Sequence, residues 1–194
     1  MANPTSLPAA GQMAYQRIHD VKYNTKSLAA GALPSVLDFF SAAPSSDPSQ
    51  DSYEAAGNLV VGQKVFQVMA LSCVLIAGAG ATLQDLETVL NNCVVEFTTS
   101  NKMIGRIPLN RIPAAGGLCA LSGQVSLTAG APATTPIGAT NGMPWNKALM
   151  MVIPLDIPGN QQFQARLYGN TAKTLTGIVG IRLQLEGVEI RPGA

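Results

Sequence analysis

Val179, Ile181, Leu183 and Leu185 fall on every second residue near the end of the chain, with Arg182, Gln184 and Glu186 between them. Successive side chains of a β-strand point to opposite faces, so a period of two describes a strand with one buried face and one wet face. After Gly187 the apolar residues are Val188 and Ile190, which occupy the other phase. A one-residue slip at a glycine predicts a β-bulge, one that keeps Val188 and Ile190 toward the core and leaves Glu189 and Arg191 in solvent.

The same period recurs upstream. Cys93, Val95 and Phe97 alternate with Val94, Glu96 and Thr98, and Phe163, Ala165 and Leu167 alternate with Gln162, Gln164 and Arg166. Ser100-Asn101-Lys102 reads as a turn into a return strand over Met103 to Leu109. Val65 to Ile76 is a nearly unbroken apolar run, as expected of a central strand covered on both faces. Ala148 to Ile153 is a further apolar strand, closed by Pro154. Only one helix is signalled. Thr82 can cap it with Asp85 three residues on, Leu83, Leu86, Val89 and Leu90 share a face, and Asn91 and Asn92 stop it. At about ten residues it suits a plug between strands. The stretch Ser41 to Ser52, dense in Ser, Pro and Asp, is a loop. Residues 1 to about 25 show no sustained period and read as an extended N-terminal arm, with Tyr15, Ile18, Val21 and Tyr23 as anchors. Many short strands with one short helix give an antiparallel sandwich or barrel.

Composition then narrows the function. Charged residues are 12% of the 194, against 47% hydrophobic, and the net charge is +1. An ordinary domain carries roughly 25% charged residues, so this chain is short of the groups that hold neighbours apart. A near-neutral chain also has little attraction for nucleic acid or an anionic membrane. The longest apolar run, Met69 to Ala81, falls short of the ~20 residues that span a bilayer, and residues 1 to 10 lack the pattern of a signal peptide. From Ile112 to Asn146 there is no charged residue. That span reads as a short strand or two (Leu118 to Leu127) plus a loop lying on a neighbouring subunit, or else as an ordinary surface loop. Cys73, Cys93 and Cys119 are odd in number and sit in apolar runs, which suits buried thiols and not a disulfide framework.

The candidates for chemistry are weak. Val74 to Phe97 mimics a dinucleotide-binding unit: strand, Gly78-Ala79-Gly80-Ala81-Thr82-Leu83, helix, then an acid at Glu96. Leu83 stands where the third glycine belongs, the helix is short for a crossover, and no strand–helix alternation follows. His19 is the only histidine, which leaves no multi-histidine metal cluster and no base beside a nucleophile. Asp85 and Glu87 lie two apart on the helix and do not face each other, so they read as a cap and a solvated face. The cysteines have no C-x-x-C spacing. Arg17, Lys22 and Lys26 outweigh Asp20 and make the arm weakly basic, so a weak nucleic-acid contact is conceivable there; the other basic residues (Lys64, Lys102, Arg106, Arg111) are dispersed. Trp145, after Asn141-Gly142-Met143-Pro144, reads as a core or interface anchor, with sugar stacking the alternative. No catalytic, cofactor-binding or metal residue is expected.

An order of features carries a resemblance. A Pro/Ser loop follows Phe39-Phe40, and Asn58 to Gln63 leads into the long apolar strand. The short helix and a hairpin ending in Ile107-Pro108-Leu109 come next, then Pro113 to Gly117, then Ile157-Pro158-Gly159-Asn160 before the alternating QQFQARLY, and the chain closes on Leu185 to Pro192. Over residues 26 to 192 this resembles the small single jelly-roll structural proteins of tailless icosahedral bacteriophages. The resemblance implies an all-β fold: an antiparallel jelly-roll β-sandwich over residues 26–194, with one short helix and an extended N-terminal arm over 1–25. It implies a virion structural protein made in the host cytoplasm that packs against copies of itself and other capsid proteins, as a major or a minor component, with membrane contact left open. The alternatives are a filament or surface-layer subunit of the same sandwich type, a carbohydrate- or ligand-binding sandwich, and a nucleotide-binding enzyme.

Overall fold

The computed structural model describes residues 15–100, 102–112 and 149–192, with the backbone alone for 149–153. In chain order the strands are β1 (Tyr15–Leu28), β2 (Gly31–Ala32), β3 (Leu37–Phe39), β4 (Val65–Ala77), β5 (Cys93–Thr99), β6 (Lys102–Pro108), β7 (Leu149–Pro158), β8 (Phe163–Gly169), β9 (Thr174–Leu175) and β10 (Val179–Pro192), with helix α1 (Leu83–Asn92) between β4 and β5. A 3-10 turn, Leu109–Arg111, follows β6. The strands form one antiparallel sheet in the order β1-β10-β4-β7, a second in the order β3-β8-β5-β6, and a small pair β2-β9. The fold is mostly β, antiparallel, with one short helix among the described residues.

The two large sheets share one core. Val68, Leu71 and Cys73 of β4 and Ile181, Leu183 and Leu185 of β10 belong to the same buried cluster as Val95, Phe97, Ala165 and Leu167 of the second sheet. Phe39, Phe40, Phe66 and Phe163 have essentially no exposed surface. The Phe40 ring meets Tyr53 and Phe163 edge-on at 5.3 and 5.6 Å, a favoured aromatic geometry. β4 is an interior strand, and Ala70, Leu71, Ser72 and Cys73 are all buried, as an unbroken apolar run requires.

The arm expected over residues 1–25 is shorter than its reading. Tyr15–Leu28 is a full strand, paired along its length with β10 from Tyr15↔Pro192 to Leu28↔Val179; residues 1–14 lie outside the described part. The strand has no apolar period because its inward face carries Lys22 and Asn24, both buried, in place of apolar residues. β7 also runs past Pro154 to Pro158. It is an edge strand of its sheet among the described residues, where a missing N–H is tolerated.

The bulge falls opposite its expected place. Glu186 pairs with Ala70 and Gly187 with Val68, so the extra residue is Met69 of β4. β10 itself keeps one phase throughout. Gly187 and Glu189 therefore face inward, and Val188 and Ile190 are only half-buried on the other side. Gly187 serves close approach: a Cβ there would lie 2.0 Å from the Gln67 carbonyl oxygen.

Segment 40–64 has no regular strand yet is packed down. Tyr53, Leu59 and Val60 are buried. Asn24 holds it at two points, accepting from the Phe40 N–H at 3.0 Å and donating to Asp51. Phe40 takes a left-handed backbone, φ 60°, a strain that its complete burial offsets. The same segment covers the outer edge of β1: Thr25 N–H donates to Gln50 O at 2.9 Å, and Ser52 N–H to Tyr23 O at 3.0 Å.

Candidate functional site

An ordered line of charge crosses the outer face of the second sheet. Asp38 of β3 pairs in register with Arg166 of β8, Arg166 with Glu96 of β5, and Glu96 with Arg106 of β6. The row thus reads acid, base, acid, base across four adjacent strands. Alternating signs on facing cross-strand positions are mutually stabilising. Arg166 Nε donates to Asp38 Oδ1 at 3.0 Å, and Arg106 Nε to Glu96 Oε2 at 3.0 Å. The Tyr168 hydroxyl donates to Glu96 Oε1 at 3.4 Å, and the Arg106 guanidinium lies 5.3 Å from the Tyr168 ring centre. The side chains of Asp38 and Arg166 are each 42% exposed, Arg106 is 58% exposed and Glu96 only 11%. On either side of the row the sheet is uncharged: Tyr168, Val94 and Pro108 stand in register on one flank, Gln164, Thr98 and Met103 on the other.

A second charged cluster is buried where β1, β4 and β10 meet segment 40–64. Lys22 is 4% exposed and Glu189 6%. Lys22 Nζ lies 2.7 Å from Asp20, 3.2 Å from Glu189 and 4.0 Å from Glu54, and 5.8 Å from the centre of the Phe66 ring. Lys64 Nζ lies 2.6 Å from Glu54 and 3.7 Å from Glu189, and the Glu54 hydrogen bond holds its pKa above the usual lysine value against the pull of burial. Glu54 also accepts from the Val61 N–H at 2.9 Å. Glu189, expected in water, is thus held inside by two lysines. Lys22, counted as part of a basic arm, faces the interior and not a nucleic acid.

The glycine-rich segment before α1 is packed against its own chain at Thr176 and Gly177. Thr82 and Asp85 form the expected capping box, and Asp85 is buried, 2% exposed. Its carboxylate accepts from the Thr82 N–H (2.8 Å), the Thr176 N–H (2.7 Å) and the Thr176 hydroxyl (2.6 Å). Burial raises the carboxyl pKa, and the hydrogen bonds from Thr176 and Thr82 outweigh it and hold the group down to about 2. Gly177 lets the Thr176 segment come this close, since a Cβ on it would lie 2.1 Å from Ala81 N. β4 and β5 lie in different sheets, so the strand–helix–strand unit is not a parallel crossover.

His19 lies on β1 opposite Val188 and is exposed; Glu87 is exposed on α1. Cys73 and Cys93 are buried in different sheets, and burial pushes the Cys93 thiol up to about 11. Cys119, Trp145 and the charge-free span from 112 onward, apart from the buried Ile112, lie outside the described residues. Among the described residues no group of three or more His, Cys, Asp or Glu is placed to hold a metal, and no helix is long and apolar enough to cross a membrane. A cavity of ≈ 120 Å³ between the sheets, bordered by Leu71, Phe97, Ile104, Leu155, Phe163 and Leu185, is almost wholly apolar.

The charge row was missed from sequence because each member is one charged residue at an outward position of its own strand. Only the cross-strand register places Asp38 beside Arg166, and Glu96 between two arginines. No protein-family model matches this chain, no curated protein matches it, and no solved structure matches it.

Proposed function

We propose that the chain is a non-enzymatic shell subunit, a capsid protein built as a jelly roll that assembles with copies of itself in a virion. The order of the strands carries this reading. With the two-residue strands β2 and β9 set aside, the eight remaining described strands, ranked along the chain, lie as 1-8-3-6 in one sheet and 2-7-4-5 in the other. First stands beside last, second beside seventh, third beside sixth and fourth beside fifth. A long antiparallel hairpin rolled into two sheets has this order, and viral capsid domains, lectins and cupins are built on such rolls.

Two further observations favour the shell over a lectin or a filament. Among the described residues nine charged side chains are paired within the chain, namely Asp20, Lys22, Asp38, Glu54, Lys64, Glu96, Arg106, Arg166 and Glu189. These pairings neutralise part of an ionic complement that is already small for a chain of this length. Three edges of the two large sheets are also guarded against open-ended strand pairing among the described residues. Segment 50–52 bonds along β1, β3 is three residues long, and β6 ends in Pro108. Assembly by faces and loops, which closes, suits this molecule better than edge-to-edge growth.

Electron microscopy of the purified protein tests the proposal. Closed particles or symmetric rings are expected; open fibres favour the surface-layer or filament alternative, and a field of separate monomers at high concentration excludes both.

A further inference from the structure

We propose that the outer face of the second sheet is a contact between two copies of this chain, related by a two-fold axis that runs along the strands midway between β8 and β5. The proposal rests on the reading of the chain as an assembling subunit and names one of its interfaces.

The order of charges selects the partner and its orientation. Asp38, Arg166, Glu96 and Arg106 alternate in sign across the sheet. Such a row is reversed in sign when read from its other end. A second copy turned about an axis along the strands sets Asp38 over the partner's Arg106 and brings Arg166 above the partner's Glu96, which is 11% exposed beneath its own Arg106 and Tyr168, and both contacts occur twice. Turned about an axis across the strands, the same copy would set like over like. Face-to-face sheets cross at about 30° because each is twisted, and the exposed Asp38 and Arg106 side chains carry the charge contacts that the partner reaches directly.

The chemistry of the face suits such a contact. Asp38, Arg166 and Arg106 are 42%, 42% and 58% exposed at the side chain, yet each is already held by a neighbour on its own sheet. Groups ordered before binding lose little freedom on binding. The flanks supply Tyr168 and Val94 on one side, and on the other Met103, which is 63% exposed. Arg, Tyr and Met are enriched at interfaces.

The experiment is a charge-swap mixing test read by sedimentation velocity. Asp38→Arg alone sets arginine against the partner's Arg106, twice. Arg106→Glu alone sets glutamate against the partner's Asp38, twice. Each variant by itself is expected to associate more weakly than wild type by on the order of a hundredfold, since like charges face each other. Mixed one to one, the two variants restore opposite signs at both positions, and association is expected to return toward the wild-type level. A defect in folding cannot be cured by mixing, and far-UV circular dichroism checks each variant beforehand. Should Arg106→Glu disturb the fold through Glu96, Arg106→Gln replaces it; mixed with Asp38→Arg it still removes both arginine–arginine contacts. The proposal is overturned if either single charge-reversal variant associates like wild type, or if the mixture stays dissociated. Wild-type assembly that persists in the single variants removes this interface alone, whereas a wild type that never associates removes the shell reading with it.

Discussion

Asp85 shows how one carboxylate can fasten a helix to a sheet. It caps α1 through Thr82 and reaches across to Thr176, just before β10. Its pKa is lowered from 3.8 to about 2, so the charged form is favoured by folding. That stabilisation, about 2 kcal/mol, is present above pH 3.8 and is lost as pH falls through 2. Asp85→Asn is expected to lower stability by about 2 kcal/mol at pH 6, a fall in Tm of roughly 4–8 °C for a chain of this size. Thermal melts at pH 6 and at pH 2 check it: the gap between variant and wild type should close at the lower pH. The capping half of this arrangement was legible in the sequence, because Thr82 and Asp85 stand at the right spacing. The bond to Thr176 was not, because nothing local links positions 91 residues apart.

The buried charges invite a matching test. Removing one partner of a buried pair leaves the other uncompensated and costs about 3–5 kcal/mol. Lys22→Met is therefore expected to destabilise by that amount in urea unfolding. Adding Glu189→Gln should recover part of the loss, because it removes a buried charge whose remaining lysine, Lys64, stands 3.7 Å away; full additivity of the two effects would mean that the residues act independently.

Among elements, β10 is the most instructive. Its alternation over Val179 to Leu185 was read correctly, and a bulge was expected beside Gly187. The sequence of one strand cannot say which strand of a pair carries the extra residue, and the structure assigns it to Met69 of β4. The assumption that charged residues face water then sent Glu189 to the wrong side. The same assumption hid β1, whose inward positions include Lys22 and Asn24. Strands β5 and β8 and helix α1 were legible because their inward faces are apolar at the proper period, whereas β6, with no fully buried residue, was legible from the turn at Ser100-Asn101-Lys102 that precedes it. Gly187→Ala drives a methyl group into the Gln67 carbonyl, with a loss of at least about 3 kcal/mol expected. Met69→Thr, at a bulge position 37% exposed, is expected to stay within about 0.5 kcal/mol. Denaturant melts of the two variants side by side separate a close-approach glycine from a tolerant bulge.

For the whole molecule the shortage of charge is the governing fact. Of the few ionic groups present, one set is buried at the junction of β1, β4 and β10, and another is drawn into a neutral row on the second sheet. Sequence reveals the shortage but not the row, which exists only once four strands are in register. A chain so arranged has little long-range repulsion between copies, guarded strand edges and a self-complementary face. On the proposed reading the first and the last of these favour association, and the guarded edges direct it away from open-ended strand pairing.

Static light scattering over a dilution series is the most direct test of that association. A discrete species of many chains is expected, forming above a threshold concentration and dissolving on dilution. A scattering mass that stays at a single chain up to millimolar concentration would contradict it.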